Sequence, residues 1–228
     1  MTKFTIHRLL SLKKSTEERI NDLLVKTQFV AYKQGQKDNI NGVPITKVEE
    51  GIKSDYQRLN DLISNYIKLK SALLTSNAGI RGDNINVEKC IVNGKEYTMA
   101  ELIFVSDEVY GNNKHKAAFK TRLLAKLKQD YSMVLSKIEN QNKKIESDIK
   151  DYLNKATSSD KTLSAEDIKK RSEIFHADGD YIMVDPLNIK EVIDKLETEI
   201  KAFKTDCDAT ISENNALTVV ELDLTSVD

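Results

Sequence analysis

Residues 46–73 read TKVEEGIKSDYQRLNDLISNYIKLKSAL, and their spacing decides the fold class. Val48, Ile52, Tyr56, Leu59, Leu62, Ile63, Tyr66, Leu69 and Leu73 advance by threes and fours, the period of one face of an α-helix. Thr46-Lys47-Val48-Glu49 has the form of a capping box, and Pro44 keeps the preceding chain extended, so the helix is predicted to start at Thr46. About 27 residues at 1.5 Å each give a rod of roughly 40 Å with a narrow apolar seam.

The same pattern recurs on either side. Ile6, Leu9, Leu10, Leu12, Ile20, Leu23 and Leu24 predict a first helix over Thr5–Lys26. A short strand is expected over Thr27–Tyr32, which is rich in Phe, Val and Tyr and is followed by Gly35. A third helix spans Thr98–Tyr110 and stops at Gly111-Asn112-Asn113, and a long one runs from Lys114 to Ala156. At roughly 63 Å that helix exceeds the width of a compact domain of this size, so it is either broken or projects toward other chains. Thr157-Ser158-Ser159-Asp160 reads as a loop, and Ser164 caps a short helix ending near Arg171. Glu173–Ala177 and Asp180–Val184, joined across Asp178-Gly179, read as a hairpin. Asp185-Pro186 then opens a final helix carrying Ile189 to Ile211, and Leu217–Leu224 alternates as a terminal strand.

Ile40–Glu49 reads against Val92–Glu101: an apolar residue, Asn-Gly, three residues, then Thr-x-x-Glu. Asn-Gly accepts the positive φ of a type I′ turn, so each copy is a hairpin feeding a helix. Internal duplication and two independent uses of good turn chemistry both produce this pattern.

Composition bounds the rest. Gly and Pro supply 10 of 228 residues, about a third of the ordinary share, which means few turns and long elements. The formal charge of −1 removes the general case for nucleic-acid binding. Of the 35 basic residues 29 are Lys and six are Arg, and Arg is the residue suited to planar, bidentate anion recognition. Cys90 and Cys207 are too few for a disulfide framework or a zinc site and read as reduced, half-buried thiols. The amino-terminal residues carry charge where a secretory signal needs an apolar run, and no run spans a bilayer, so a soluble cytoplasmic protein with no membrane partner is expected.

No phosphate loop, His-Glu-x-x-His or Gly-x-Ser-x-Gly is present, and none of His7, His115 and His176 has a nucleophile placed beside it, so no enzyme activity is expected. Asp178, Asp180 and Asp185 are explained by a turn and a cap, leaving no metal and no cofactor in the reading. Lys114–Arg122 gathers cations at a helix start, where the dipole opposes them and an anion or an acidic neighbour would be welcome. Lys170 and Arg171 sit in a last helical turn, Asn77 reads as a helix C-cap, and Arg81 has no local role.

Ser76-Asn77, Asn93-Gly94 leading into Thr98–Leu102, Arg171-Ser172-Glu173-Ile174 and Asp206–Asn215 together resemble the septicolysin-like family of small helical bacterial proteins. Asp185-Pro186-Leu187 and Ser212-Glu213-Asn214-Asn215-Ala216 are similar to bacteriophage proteins of unknown role, and 17 Asn with few Arg fit an AT-rich coding source. The long helix and the stretch after Asn215 depart from the septicolysin-like pattern.

The expectation is an α+β, mainly α, chain: one domain over 1–228 of long antiparallel helices, with small hairpins at helix ends, a C-terminal strand and a projecting helical hairpin around 114–170. Thinly apolar rods of this length call for a homo-oligomer. The expected function is that of a phage-type binding protein, in the host cytoplasm, holding a small anionic or nucleotide ligand at subunit junctions through Asn77, Arg81, Arg122, Lys170, Arg171 and His176. A structural virion or assembly protein without a small ligand is the alternative.

Overall fold

The structure is a computed structural model that describes residues 3–77, 89–111, 117–159 and 164–219. The fold is mainly α with small antiparallel strand pairs. In chain order the elements are α1 (Ile6–Lys26), β1 (Ala31–Gln34), β2 (Asn39–Ile40), β3 (Val43–Pro44), α2 (Ile45–Asn77), β4 (Lys89–Val92), β5 (Lys95–Thr98), α3 (Met99–Glu108), α4 (Phe119–Ser159), α5 (Ala165–Gly179), β6 (Tyr181–Val184) and α6 (Ile189–Leu217).

Both Asn-Gly hairpins form. Asn41 and Gly42 have φ of 51° and 81°, and Asn93 and Gly94 have 51° and 74°, the left-handed pair that a type I′ turn requires. β2–β3 runs directly into α2 and β4–β5 into α3. Thr98 closes its capping box in full: its hydroxyl accepts from the Glu101 amide and its own amide donates to the Glu101 carboxylate. At the first copy α2 already starts at Ile45, whose amide donates to the Asp38 carbonyl, so Thr46 lies inside the first turn instead of capping it.

The described residues fall into two compact units. One joins Arg19–Leu62 with Leu123–Asp194. Its core includes Ile20, Phe29, Val30, Leu59, Leu127, Val134 and Ile189. The predicted strand at Thr27–Tyr32 is displaced here. Phe29 and Val30 are fully buried, and the Phe29 amide donates to Asp130 on α4, leaving the ladder to begin at Ala31. The partner of β1 is β6, antiparallel, with Ala31 opposite Val184 and Gln34 opposite Tyr181.

That pairing replaces the hairpin expected across Asp178-Gly179. Glu173–Ala177 is helical, and α5 runs past Arg171 to Gly179. Its start is the predicted Ser164, in a capping box with Asp167, and ion pairs from Glu166 to Lys170 and Lys169 to Glu173 line its surface. A Cβ on Gly179 would lie 3.2 Å from Ile145, so the missing side chain serves close helix packing. Asp185 does cap the last helix, but three residues further back than expected. Its carboxylate accepts from the Leu187 and Ile189 amides, so Pro186 precedes the helix and does not open it.

The other unit joins Met1–Glu18, Ile63–Arg122 and Lys195–Asp228. Its core is aromatic. Tyr66 meets Phe119 edge-on at 4.9 Å between centroids, and Tyr110 stacks on Phe203 at 4.0 Å. Two Tyr–Glu–Lys networks tie its helices together. Tyr66 and Lys70 on α2 both donate to Glu108 on α3, and Tyr110 and Lys120 both donate to Glu199 on α6.

Three further expectations are corrected. α4 is continuous over 41 residues but starts at Phe119, with Ala117 and Ala118 outside the helix and Lys114–Lys116 outside the described residues. Thr157, Ser158 and Ser159 belong to α4, not to a loop. Leu217 ends α6, and the Thr218 amide still donates to the Asn214 carbonyl, so the predicted terminal strand does not begin there; Val220–Leu224 lie outside the described residues.

Candidate functional site

Of the six predicted anion contacts, the five described ones divide between the two units. Asn77 is the exposed last residue of α2, and Arg81 lies outside the described residues. Arg122 belongs to the aromatic unit, in the first turn of α4, where its guanidinium donates to the Ala117 carbonyl and burial lowers its pKa. Lys170, Arg171 and His176 belong to the other unit. Lys170 is exposed and paired with Glu166 at 3.0 Å, and the exposed Arg171 lends charge to Asp167. Lys170 and Arg171 are thus answered by carboxylates one turn away.

His176 is different. It lines a cleft of about 660 Å³ together with Lys33, Gly35, Gln36, Asp38, Ala177, Asp180 and Ile182, all of one unit. The wall is formed where the end of β1 meets the α5–β6 junction. Gly35 has φ of 53° and its amide donates to the Asp180 carbonyl at 2.7 Å. A Cβ on Gly35 would lie 2.1 Å from the Asp178 carbonyl oxygen, so backbone meets backbone there and a side chain has no room. Gly35→Ala is expected to lower stability by about 2 kcal/mol or more, from the strained φ and the clash together. Gly42→Ala, where φ is 81° but nothing lies within 4 Å, should show the smaller strain cost of about 1–2 kcal/mol. Urea unfolding of the two variants side by side checks the order.

Polar contacts also fix the α5–β6 junction. Asn142 on α4 clasps the backbone of Tyr181 both ways, accepting from its amide at 2.7 Å and donating to its carbonyl at 3.0 Å. Asp180 caps α5, donating its amide to the His176 carbonyl, while its carboxylate meets His176 Nδ1 at 3.0 and 3.2 Å. That contact places the proton on Nδ1 and leaves Nε2 as the free ring nitrogen. Lys33 in the same lining stands against the carboxylates of Asp38 and Asp180, which offer an anion little.

Sequence reasoning missed Lys33, Gln36 and Asp38 as neighbours of His176, because the β1–β6 pairing joins segments about 150 residues apart, and it missed Asp180 by reading a hairpin there. The signal within reach was the His176-x-x-x-Asp180 spacing, which is legible only once α5 is read as helix.

The Glu199 network has the chemistry of a strut. Burial alone would raise the Glu199 pKa, but hydrogen bonds from Lys120 and Tyr110, with the charges of Lys120 and Lys95, outweigh it and hold the carboxyl below its ordinary value. Burial, and then the bond to Glu199, pushes the Tyr110 phenol far above its ordinary range. A depressed carboxylate stabilises the fold above its unfolded pKa and loses that contribution as pH falls through the folded one. Glu199→Gln should therefore cost about 1 kcal/mol at pH 7, and the gap from the parent protein should close in unfolding curves taken below about pH 4.

Among the described residues no group of three or more His, Cys, Asp or Glu is placed to hold a metal, and no helix is long and apolar enough to cross a membrane. No family model, curated protein or solved structure matches the chain.

Proposed function

We propose that this chain is a non-catalytic, self-associating helical protein of the phage type that its sequence resembles, working as an assembly or packing component whose copies cover one another's apolar helix faces. The observation that supports it is α1. Of its 21 residues only Ile20 and Leu24 are buried, while Ile6 and Leu10, which share the same side of the helix by their 3.6-residue spacing, are about half exposed. Apolar side chains at helical spacing that stand half exposed among the described residues are what a partner helix buries. The test is sedimentation velocity over a hundredfold concentration range, with Ile6→Asp/Leu10→Asp beside the parent protein. Self-association that the double variant abolishes supports the reading; a parent protein that stays monomeric overturns it.

The second reading is a binding protein that sequesters a small anionic, nucleotide-like ligand where copies meet. The placement of His176 on a cleft favours it; the pairing of Lys170 and the charge balance of that cleft weigh against it. Calorimetry with cyclic and linear nucleotides decides the matter: heat that disappears in His176→Ala favours sequestration, and uniform silence leaves the assembly role.

A further inference from the structure

The chain has two cysteines, and both lie in the aromatic unit. On β4 the exposure alternates, so Cys90 and Val92 face inward while Lys89 and Ile91 face outward. Cys90 is opposite Tyr97 in the hairpin register, and its thiol donates to the Tyr97 carbonyl at 3.3 Å. The Tyr97 ring meets Phe203 on α6 edge-on at 6.2 Å. Cys207 is fully buried one helical turn beyond Phe203, on the same side of α6, bonded to Ser106 of α3. The inward face of the hairpin thus meets, through Tyr97 and Phe203, the stretch of α6 that carries the second thiol, and Cys207 feels the charge of Cys90.

We propose that Cys90 and Cys207 are the two halves of a reversible disulfide that staples the β4–β5 hairpin onto α6. Cys90, the partly exposed thiol, reacts first. With a peroxide as oxidant, the Cys90 thiolate attacks one peroxide oxygen, the O–O bond breaks, and Cys90 becomes a sulfenic acid with release of water. The Cys207 thiol then attacks the Cys90 sulfur, forming the S–S bond and expelling a second water. Two thiols lose two electrons and two protons, and one peroxide becomes two waters. A dithiol reverses the reaction by exchange.

The surroundings set the pace. Burial raises both thiol pKa values; the Glu101 carboxylate adds to this at Cys90, and Asp208 and Asp107 add to it at Cys207. The thiolate is the reactive form, so oxidation should be slow at neutral pH and quicken about tenfold per pH unit until the Cys90 thiol ionises.

Reduced full-length protein is treated with hydrogen peroxide at about pH 8.5, free thiols are blocked with N-ethylmaleimide, and intact mass and peptide maps are recorded. The expected result is loss of two hydrogens, no maleimide on either cysteine, and a cross-linked peptide containing Cys90 and Cys207 that dithiothreitol dissolves. In Cys207→Ala the same treatment should leave a dimedone-reactive Cys90. Oxidation of Cys90 to higher acids in the parent protein while Cys207 stays free, or a Cys90–Cys90 link between chains, would overturn the proposal. So would recovery of both thiols unmodified when a small-molecule thiol in the same tube is consumed.

Discussion

Asp130→Ala is expected to destabilise the protein by about 3 kcal/mol, read as a shift of the urea midpoint at constant slope. The residue is an acid on α4 with its side chain 1% exposed. One carboxylate oxygen accepts from the buried Phe29 amide at 3.1 Å, and the other meets the Lys126 ammonium at 2.9 Å. The Lys126 contact is an ion pair by distance without a directed hydrogen bond, so charge compensation, more than bond geometry, holds that oxygen. Truncation leaves the Phe29 amide buried without an acceptor, which costs about 1–3 kcal/mol, and opens a void besides. Lys126→Ala should cost a similar amount for the opposite reason, since it leaves a buried carboxylate with one amide for company. The double variant should fall short of the sum, because each single change already breaks the same pair. Additive losses would show that the two side chains act separately.

Phe203→Ala should cost about 3–5 kcal/mol, the range for a large side chain removed from a filled core. Phe203 is 1% exposed, stacked on Tyr110 and touched by Tyr97. The loss should be felt first in the β4–β5 hairpin. Exchange of the Val92 and Tyr97 amides should accelerate more than exchange in α2, whose Tyr66 packs on Phe119 and not on Phe203. Phe203→Leu, which keeps most of the volume, should recover more than half of the stability. Equal loss for Ala and Leu would mean that the ring stacking, and not the filled volume, holds this region.

The parts of the fold legible in the sequence are those decided within a few residues. The seam of α2, the two Asn-Gly turns and the capping boxes at Thr98 and Ser164 each satisfy local backbone geometry, and each forms. The failures share one cause. Asp178-Gly179 has the composition of a hairpin turn, yet Gly179 ends a helix because the Ser164 cap and the paired charges of α5 carry it that far. β6 then takes its partner from β1, which no local pattern reveals. The site divides along the same line. His176 could be named from its residue type, but Lys33 and Asp38 reach it through that distant pairing, and Arg122 was grouped with residues of another unit. Sequence reasoning does not single out Asp130 at all, because its role depends on the Phe29 amide 101 residues away.

The account rests on apolar helix faces that stand half exposed among the described residues, as at Ile6 and Leu10 of α1. Native mass spectrometry of the full-length chain, sprayed at micromolar concentration from a volatile buffer near neutral pH, tests this most directly. An integer multiple of the 25.8 kDa chain mass is predicted, falling to the chain mass in the Ile6→Asp/Leu10→Asp variant. A folded protein of 25.8 kDa at every concentration, with the narrow charge distribution of a compact state, would contradict it.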